Sequence, residues 1–192
     1  MPRKATHTAE SLLDAAARIA ATEGAAAVSM SAVAAAAQAP SGSVYYRFPD
    51  RAALLSALWL RTVDRFHHGF LEALAGTPAD RAAVQAARHV VEWSRDNPVD
   101  ATVLLAGRSA FGYTYWSDDA RSAEAARQHR LSTELDALST RLGYRGRADR
   151  ERLVLLLVDL PSAALRRQLS GTGTVSDTTV DAVELIVRRA LA

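Results

Sequence analysis

The chain has 192 residues, 49% of them hydrophobic but only 6% aromatic, a formal net charge of +2 and no cysteine. The missing cysteine excludes disulfides, thiolate metal sites and a cysteine nucleophile, and so small a net charge does not by itself imply a nucleic-acid partner. Alanine and leucine dominate, β-branched runs are scarce and nothing alternates with period two over a useful length, which reads as an all-α fold able to bury a sizeable core.

The basic start, MPRKATHTAESLL, has no apolar stretch behind it and does not read as a signal peptide. The longest apolar run, Leu153 to Val158, is far too short to cross a bilayer. The expected location is cytoplasmic, with no membrane partner. A first helix is predicted from about Thr8 to Thr22, with Leu12, Ala16, Ile19 and Ala20 on one face, Glu10 in the first turn and Gly24 as its stop.

The stretch Ser29 to Leu55, SMSAVAAAAQAPSGSVYYRFPDRAALL, predicts two short helices joined by a tight turn and then the start of a longer one. Ser31 to Gln38 is nearly all alanine around Val33, strongly helix-forming and small in cross-section. Pro40 breaks it, because proline donates no backbone bond and biases Ala39 away from helical angles. Pro40 or Ser41 then opens a second helix, with Ser41 suited to cap it, which runs to about Phe48 before Pro49. Val44 and Phe48, four apart, point inward. Ser41, Ser43, Tyr46 and Arg47 fall elsewhere on the circumference, an outer face of hydroxyls, a phenol and a cation suited to a DNA major groove. Arg3, Lys4, Arg47 and Arg51 place positive charge at the chain start and around this helix. The pattern is a helix-turn-helix.

The stretch resembles the DNA-binding segment of the TetR (tetracycline-repressor) family, which carries roughly T-x-x-x-I-A-x-x-A-G-V-S-x-G-x-L-Y-x-H-F, a short turn and K-x-x-L. Ser29 stands at the first Thr, Val33-Ala34 at Ile-Ala, Gly42 at the second Gly, Val44-Tyr45 at Leu-Tyr, Phe48 at Phe, Arg51 at Lys and Leu54 at Leu. Gln38, Ala39 and Pro40 depart, standing where the family has Gly, Val and Ser; the Gly normally permits a positive φ. The resemblance implies that Ser41, Ser43, Tyr45, Tyr46 and Arg47 face the groove or phosphates, that Ser29 and Arg51 face phosphates, that Ser31 occupies a position sometimes used on bases, and that Gly42 lets the backbone approach the duplex.

Beyond the head, Asp50 caps a long fourth helix carrying Leu54, Leu55, Leu58, Trp59, Phe66, Phe70 and Leu74 to Gly76, the natural mechanical link to the rest. Thr77-Pro78-Ala79-Asp80 starts a fifth helix to Asp96 and Asn97-Pro98-Val99-Asp100 a sixth that fades near Gly107. Phe111 to Asp119 reads as an aromatic loop. A seventh helix follows from Asp118 to Leu142, then an eighth from Ala148 to Leu169 with a kink at Pro161, a Gly/Thr linker from Ser170 to Val175, and a ninth capped by Ser176. Nine helices, three plus six, is also the family layout. The division expected is a DNA-binding domain over residues 1–50 and a ligand-binding and dimerisation domain over 51–192.

Most of the aromatic residues collect in the middle of the chain. Trp59, Phe66, Phe70, His89, Trp93, Arg108, Phe111, Tyr113 and Trp116 are the candidates to line an apolar pocket with a few polar groups, in place of a plain core; the resemblance implies such a pocket for a small-molecule effector. The apolar stripes of the last two helices offer Leu153, Leu156, Leu157, Leu160, Val180, Val183 and Val187 as the interface of a homodimer, which the resemblance also implies. Such a dimer would present its recognition helices roughly 34–36 Å apart. Histidines and carboxylates form no metal or catalytic constellation: His67 and His68 are adjacent, and His89 with Glu92 gives two ligands only. Neither GRSAFG at Gly107 nor GTG at Gly171 has the context of a nucleophile elbow or phosphate loop. The expectation is a ligand-responsive regulator binding double-stranded DNA, most simply a repressor, with no enzyme activity, cofactor or metal. The alternative is a helical small-molecule-binding protein or enzyme whose head is a relic, supported by Gln38 in the turn.

Overall fold

The computed structural model describes residues 7–171 and 173–191; Arg3 and Lys4 lie outside the described residues. Among the described residues every regular element is a helix. Helix α1 (Ala9–Glu23) starts where the Thr8 hydroxyl accepts the Ser11 N–H at 3.1 Å and stops at Gly24, whose φ of 86° suits glycine. A 3-10 turn (Ala25–Ala27) leads to α2 (Met30–Ala36), capped by the Ser29 hydroxyl accepting from Ala32, and then to α3 (Ser41–Arg47). The cap expected at Ser41 is not formed. Pro40 occupies the cap position with no side-chain bond and Ser41 is the first helical residue, because the extended backbone of Pro40 already sets the entry angle. Asp50 Oδ1 accepts the Ala53 N–H at 2.8 Å and opens α4 (Arg51–Ala75).

The remaining elements are α5 (Ala79–Asp96), α6 (Pro98–Ala106), α7 (Asp118–Arg141), α8 (Arg147–Val154), α9 (Leu160–Gly171) and α10 (Asp177–Leu191). Three local expectations change. Thr77 does not cap α5, since Pro78 takes that position without a side-chain bond. The aromatic loop is wound into two 3-10 turns, Arg108–Phe111 after Gly107 and Tyr113–Tyr115 after Gly112, both glycines at positive φ. The helix before the Gly/Thr linker runs on through Gly171.

The kink expected at Pro161 appears as a π turn over Leu155–Asp159, joining α8 to α9. Proline in a helix removes one backbone bond and its ring collides with the carbonyl four residues earlier, which the wider turn accommodates. The buried residues here are Leu153, Leu157, Pro161 and Leu165. Spacing of four drifts around an α-helix by about 40° per step; the slower rotation of the π turn cancels much of that drift and keeps all four on one face. Counting α8, π turn and α9 as one continuous helix, the described residues hold nine α-helices, as expected.

The chain forms two compact units: one from the described residues up to Val63 with Thr102–Glu124, the other from Asp64–Ala101 and the residues from Ala125 on. The first has Leu12, Val28, Val33, Val44, Leu54 and Leu58 with no exposure, among many alanines. In the second, α5 is the hub, packed against α10, α9 and the π turn.

Candidate DNA-binding interface and effector site

Packing of α3 on α2 decides which of its faces is outermost. Val44 and Phe48 are buried, as their spacing predicts, and carry the helix on the head's core. Tyr46 is 87% exposed and Tyr45 55%. Ser41 and Gly42 are also exposed, and Ser43 and Arg47 half-buried. The Arg47 guanidinium lies 5.9 Å from the Tyr46 ring centroid and donates to the Ser43 carbonyl at 3.1 Å, so phenol and cation are presented together. A Cβ at Gly42 would meet nothing within 4 Å, so internal packing gives no reason for glycine there.

Two other candidates have work inside the head. Ser29 caps α2 and its hydroxyl lies 3.2 Å from that of the exposed Ser31. Arg51 donates from Nε to the Val28 carbonyl (2.6 Å) and from Nη2 to those of Ala25 (2.9 Å) and Ala26 (3.3 Å), which staples the 3-10 turn to the start of α4.

The turn between α2 and α3 keeps the geometry that glycine would allow. Gln38 has φ 51°, the one non-glycine residue at positive φ among the described residues. For an L side chain this costs roughly 1–2 kcal/mol.

The effector-site candidates form two clusters, one in each unit. In the first unit Trp59 lies 5.8 Å from Phe111, Tyr113 packs edge-on to Trp116 at 5.2 Å, and Arg108 sits 4.5 Å from the Tyr113 ring. The Trp116 indole donates to the Phe111 carbonyl at 2.8 Å, whereas the buried Trp59 Nε1 has no hydrogen-bond partner among the described residues. In the second unit Phe66 stacks on Phe70 at 5.2 Å and meets Trp93 edge-on at 5.3 Å and His89 at 5.5 Å. The His89 ring lies so close to Gly69 that a Cβ there would come within 2.5 Å, and its Nε2 is 3.2 Å from the Phe66 carbonyl. Burial lowers the His89 pKa, partly offset by that carbonyl, Glu92 and Glu72. Burial also lowers the pKa of His67, against an opposing pull from Asp64 and with a further push down from Arg127 and Arg130.

Residues 12–58 match the family described as bacterial regulatory proteins, tetR family. The match covers the head, and the fold of the chain is similar to that of solved TetR-family regulators. Among solved structures it is similar to a transcriptional regulator from Rhodococcus sp. RHA1 (20% identity, TM-score 0.73, 96% of each chain covered). It is also similar to the TetR-family regulator PfmR from Thermus thermophilus (17% identity, TM-score 0.74, 93% of this chain and 97% of that one). A third is FadR from Bacillus subtilis, solved with stearoyl-CoA (14% identity, TM-score 0.72, 96% and 97% covered). No curated protein matches the sequence.

The dimer candidates divide by burial. Leu153, Leu157, Val180, Val183 and Val187 are buried within the chain's own core, α10 being covered by α5, and so have little area left for a partner; Leu156 and Leu160 are half-buried. The exposed large apolar side chains on the same helices are Leu155, Leu185 and Ile186. Leu160, Ala163, Ala164, Ala182 and Ile186 line an open apolar groove between α9 and α10.

Sequence reasoning passed over Arg61, whose side chain is 9% exposed and whose Nη1 donates to Glu10 Oε2 (3.1 Å) and Asp14 Oδ1 (2.7 Å). The signal was there in the two carboxylates four apart on α1, which one cation on α4 can reach together.

Proposed function

We propose that this regulator is a homodimeric, cytoplasmic repressor whose head, residues 1–50, binds a near-palindromic operator, and whose remaining residues, 51–192, bind an effector and the second copy. The observation that carries the reading is the Tyr45-Tyr46-Arg47 face, held outward by the burial of Val44 and Phe48 within the segment that matches the family. Ser41 and Ser43 add hydroxyls to that face and Gly42 leaves the backbone open to the duplex. Ser29, Ser31 and Arg51 contribute at the phosphates, with Arg51 also holding the head's own turn.

Two copies meeting along the α9–α10 groove, through Leu160, Leu185 and Ile186, would supply the two-fold symmetry that a palindrome needs. The effector is partly apolar, recognised by one or both aromatic clusters. That stearoyl-CoA occupies FadR from Bacillus subtilis supports this class. Release requires that the effector bind the DNA-free state better, through a shift of α4. A hundredfold loss of operator affinity takes about 2.7 kcal/mol of coupling. The positive φ of Gln38, the conformation that glycine would allow, supports a working turn over a relic head.

The test is binding of the full chain to duplexes enriched by it from a random pool. Saturable binding that weakens steeply with salt is expected, with Tyr46→Ala and Arg47→Ala each losing roughly tenfold or more in affinity while melting temperature and dimer mass stay put. Full affinity in both variants would remove α3 as the recognition helix.

A further inference from the structure

Between Ser31 and Ser41 the chain reads Ala-Val-Ala-Ala-Ala-Ala-Gln-Ala-Pro, so Gln38 is the one side chain there with polar atoms. It is exposed, and it holds φ 51°. The turn demands that conformation: the Gln38 N–H bonds to the Ala35 carbonyl at 3.1 Å and the Ala39 N–H to that of Ala34 at 2.9 Å, closing α2 before Pro40. Glycine would adopt it without strain, and asparagine or aspartate would ease it by bonding to their own backbone. Glutamine does neither. Its carboxamide has no hydrogen-bond partner among the described residues, so the side chain itself does nothing there to offset the strain. Strain kept without compensation from the side chain points to a use outside the fold.

The position limits what that use is. Gln38 stands three residues ahead of the first residue of α3, and Pro40, between them, has neither N–H nor hydroxyl to offer. The approach to α3 thus carries no other side-chain donor. In helix-turn-helix docking the recognition helix occupies the groove and the segment leading into it passes the phosphate backbone. Amide side chains are common phosphate donors.

Building on the DNA-binding reading above, we propose that Gln38 donates its side-chain amide to a DNA phosphate at the edge of the groove that α3 enters. The contact replaces donors that Pro40 lacks, and it gives the strained glutamine a function that glycine could not serve.

The experiment compares the full chain with Gln38→Gly and Gln38→Glu on the enriched duplex and on point variants of it, alongside thermal melting. Gln38→Gly relieves the turn, so its melting temperature should equal or exceed that of the parent while affinity falls about tenfold, the size of one hydrogen bond to a charged group. The loss should be the same on every duplex and leave the salt slope unchanged, because a neutral amide displaces no counterion. Gln38→Glu keeps the side-chain shape but exchanges donors for an anion, and should bind more weakly still. Parental affinity in Gln38→Gly overturns the proposal, as does a loss confined to one base pair, which would make Gln38 a base reader. If the parent chain enriches no duplex, the DNA-binding reading fails and takes this one with it; equal binding by parent and Gln38→Gly removes only the phosphate contact.

Discussion

Around the head, Thr8, Ser29 and Asp50 each accept an N–H three residues further on, and Arg51 closes the carbonyls of a turn that begins 26 residues earlier. In the second unit the polar side chains reach much further. Arg127 pairs with Asp64, Arg141 donates to the Leu74 and Gly76 carbonyls, Arg95 reaches Asp177 and Arg88 reaches Glu184, across 63 to 96 residues. The head's helix starts are set by short-range chemistry that forms as each helix forms, and two arginines, Arg51 and Arg61, then tie them together. These long-range contacts exist only once α4, α5, α7 and α10 are already placed. They select that arrangement more than they stabilise it, since partly exposed pairs contribute about 0–1 kcal/mol each.

That contrast can be broken most forcefully at Phe70, which is 1% exposed against Phe66 and His89. Phe70→Ala should cost about 4 kcal/mol in equilibrium unfolding, far more than removing any one of the second unit's arginines. A loss under about 1 kcal/mol would mean that the ion pairs, not the aromatic cluster, hold that unit. A smaller effect sharpens the description of the first unit. Arg61→Ala should cost about 2 kcal/mol by denaturant titration, whereas Arg61→Met should cost less. Its carboxylate partners are half-exposed and rehydrate, and the buried Arg61 Nε and Nη2 have no bond to lose among the described residues.

The smallest effect expected is that of pH. His67 and His89 have lowered pKa values in the fold, so the unfolded chain takes up protons near its ordinary value of about 6.5 that the folded chain refuses. Stability is therefore full above that value and declines as pH falls toward the lowered values. Melting temperatures between pH 7 and 5 should show the decline, and His67→Gln should flatten part of it. A flat profile in the parent chain would mean that neither imidazole is held neutral.

The same contrast explains what could be read in advance. Gly24 and Asp50 signal helix ends through their own backbone neighbours, and the four-residue spacing of Val44 and Phe48 fixes the inner face of α3, so those expectations held; Ser29, which reads from sequence only as a phosphate contact, caps α2 as well. Arg51 reads from sequence only as a phosphate-facing cation because its carbonyl partners lie in a turn whose approach is a tertiary event. The stripe of Leu153, Leu157, Val180, Val183 and Val187 was correctly apolar, but periodicity says only that a face is covered, not that α5 covers it. Likewise, aromatic enrichment located both clusters without showing that Trp59 and Phe66, seven residues apart on α4, belong to different units.

The π turn over Leu155–Asp159 lets that part of the chain absorb a one-residue change of length in a way that its composition does not reveal. Substitution among its leucines changes a contact or two. Deleting a single residue within it would convert the wide turn to ordinary α-helix; the roughly 100° lost with one residue is largely regained as the slower rotation is replaced, so Leu165 and the groove on α9 keep about their present direction and only side chains inside the turn change face. In comparing this chain with others, a one-residue gap here therefore marks the loss of the wide turn and leaves the surface for self-association in place, whereas the same gap within α10 would rotate everything after it by about 100°.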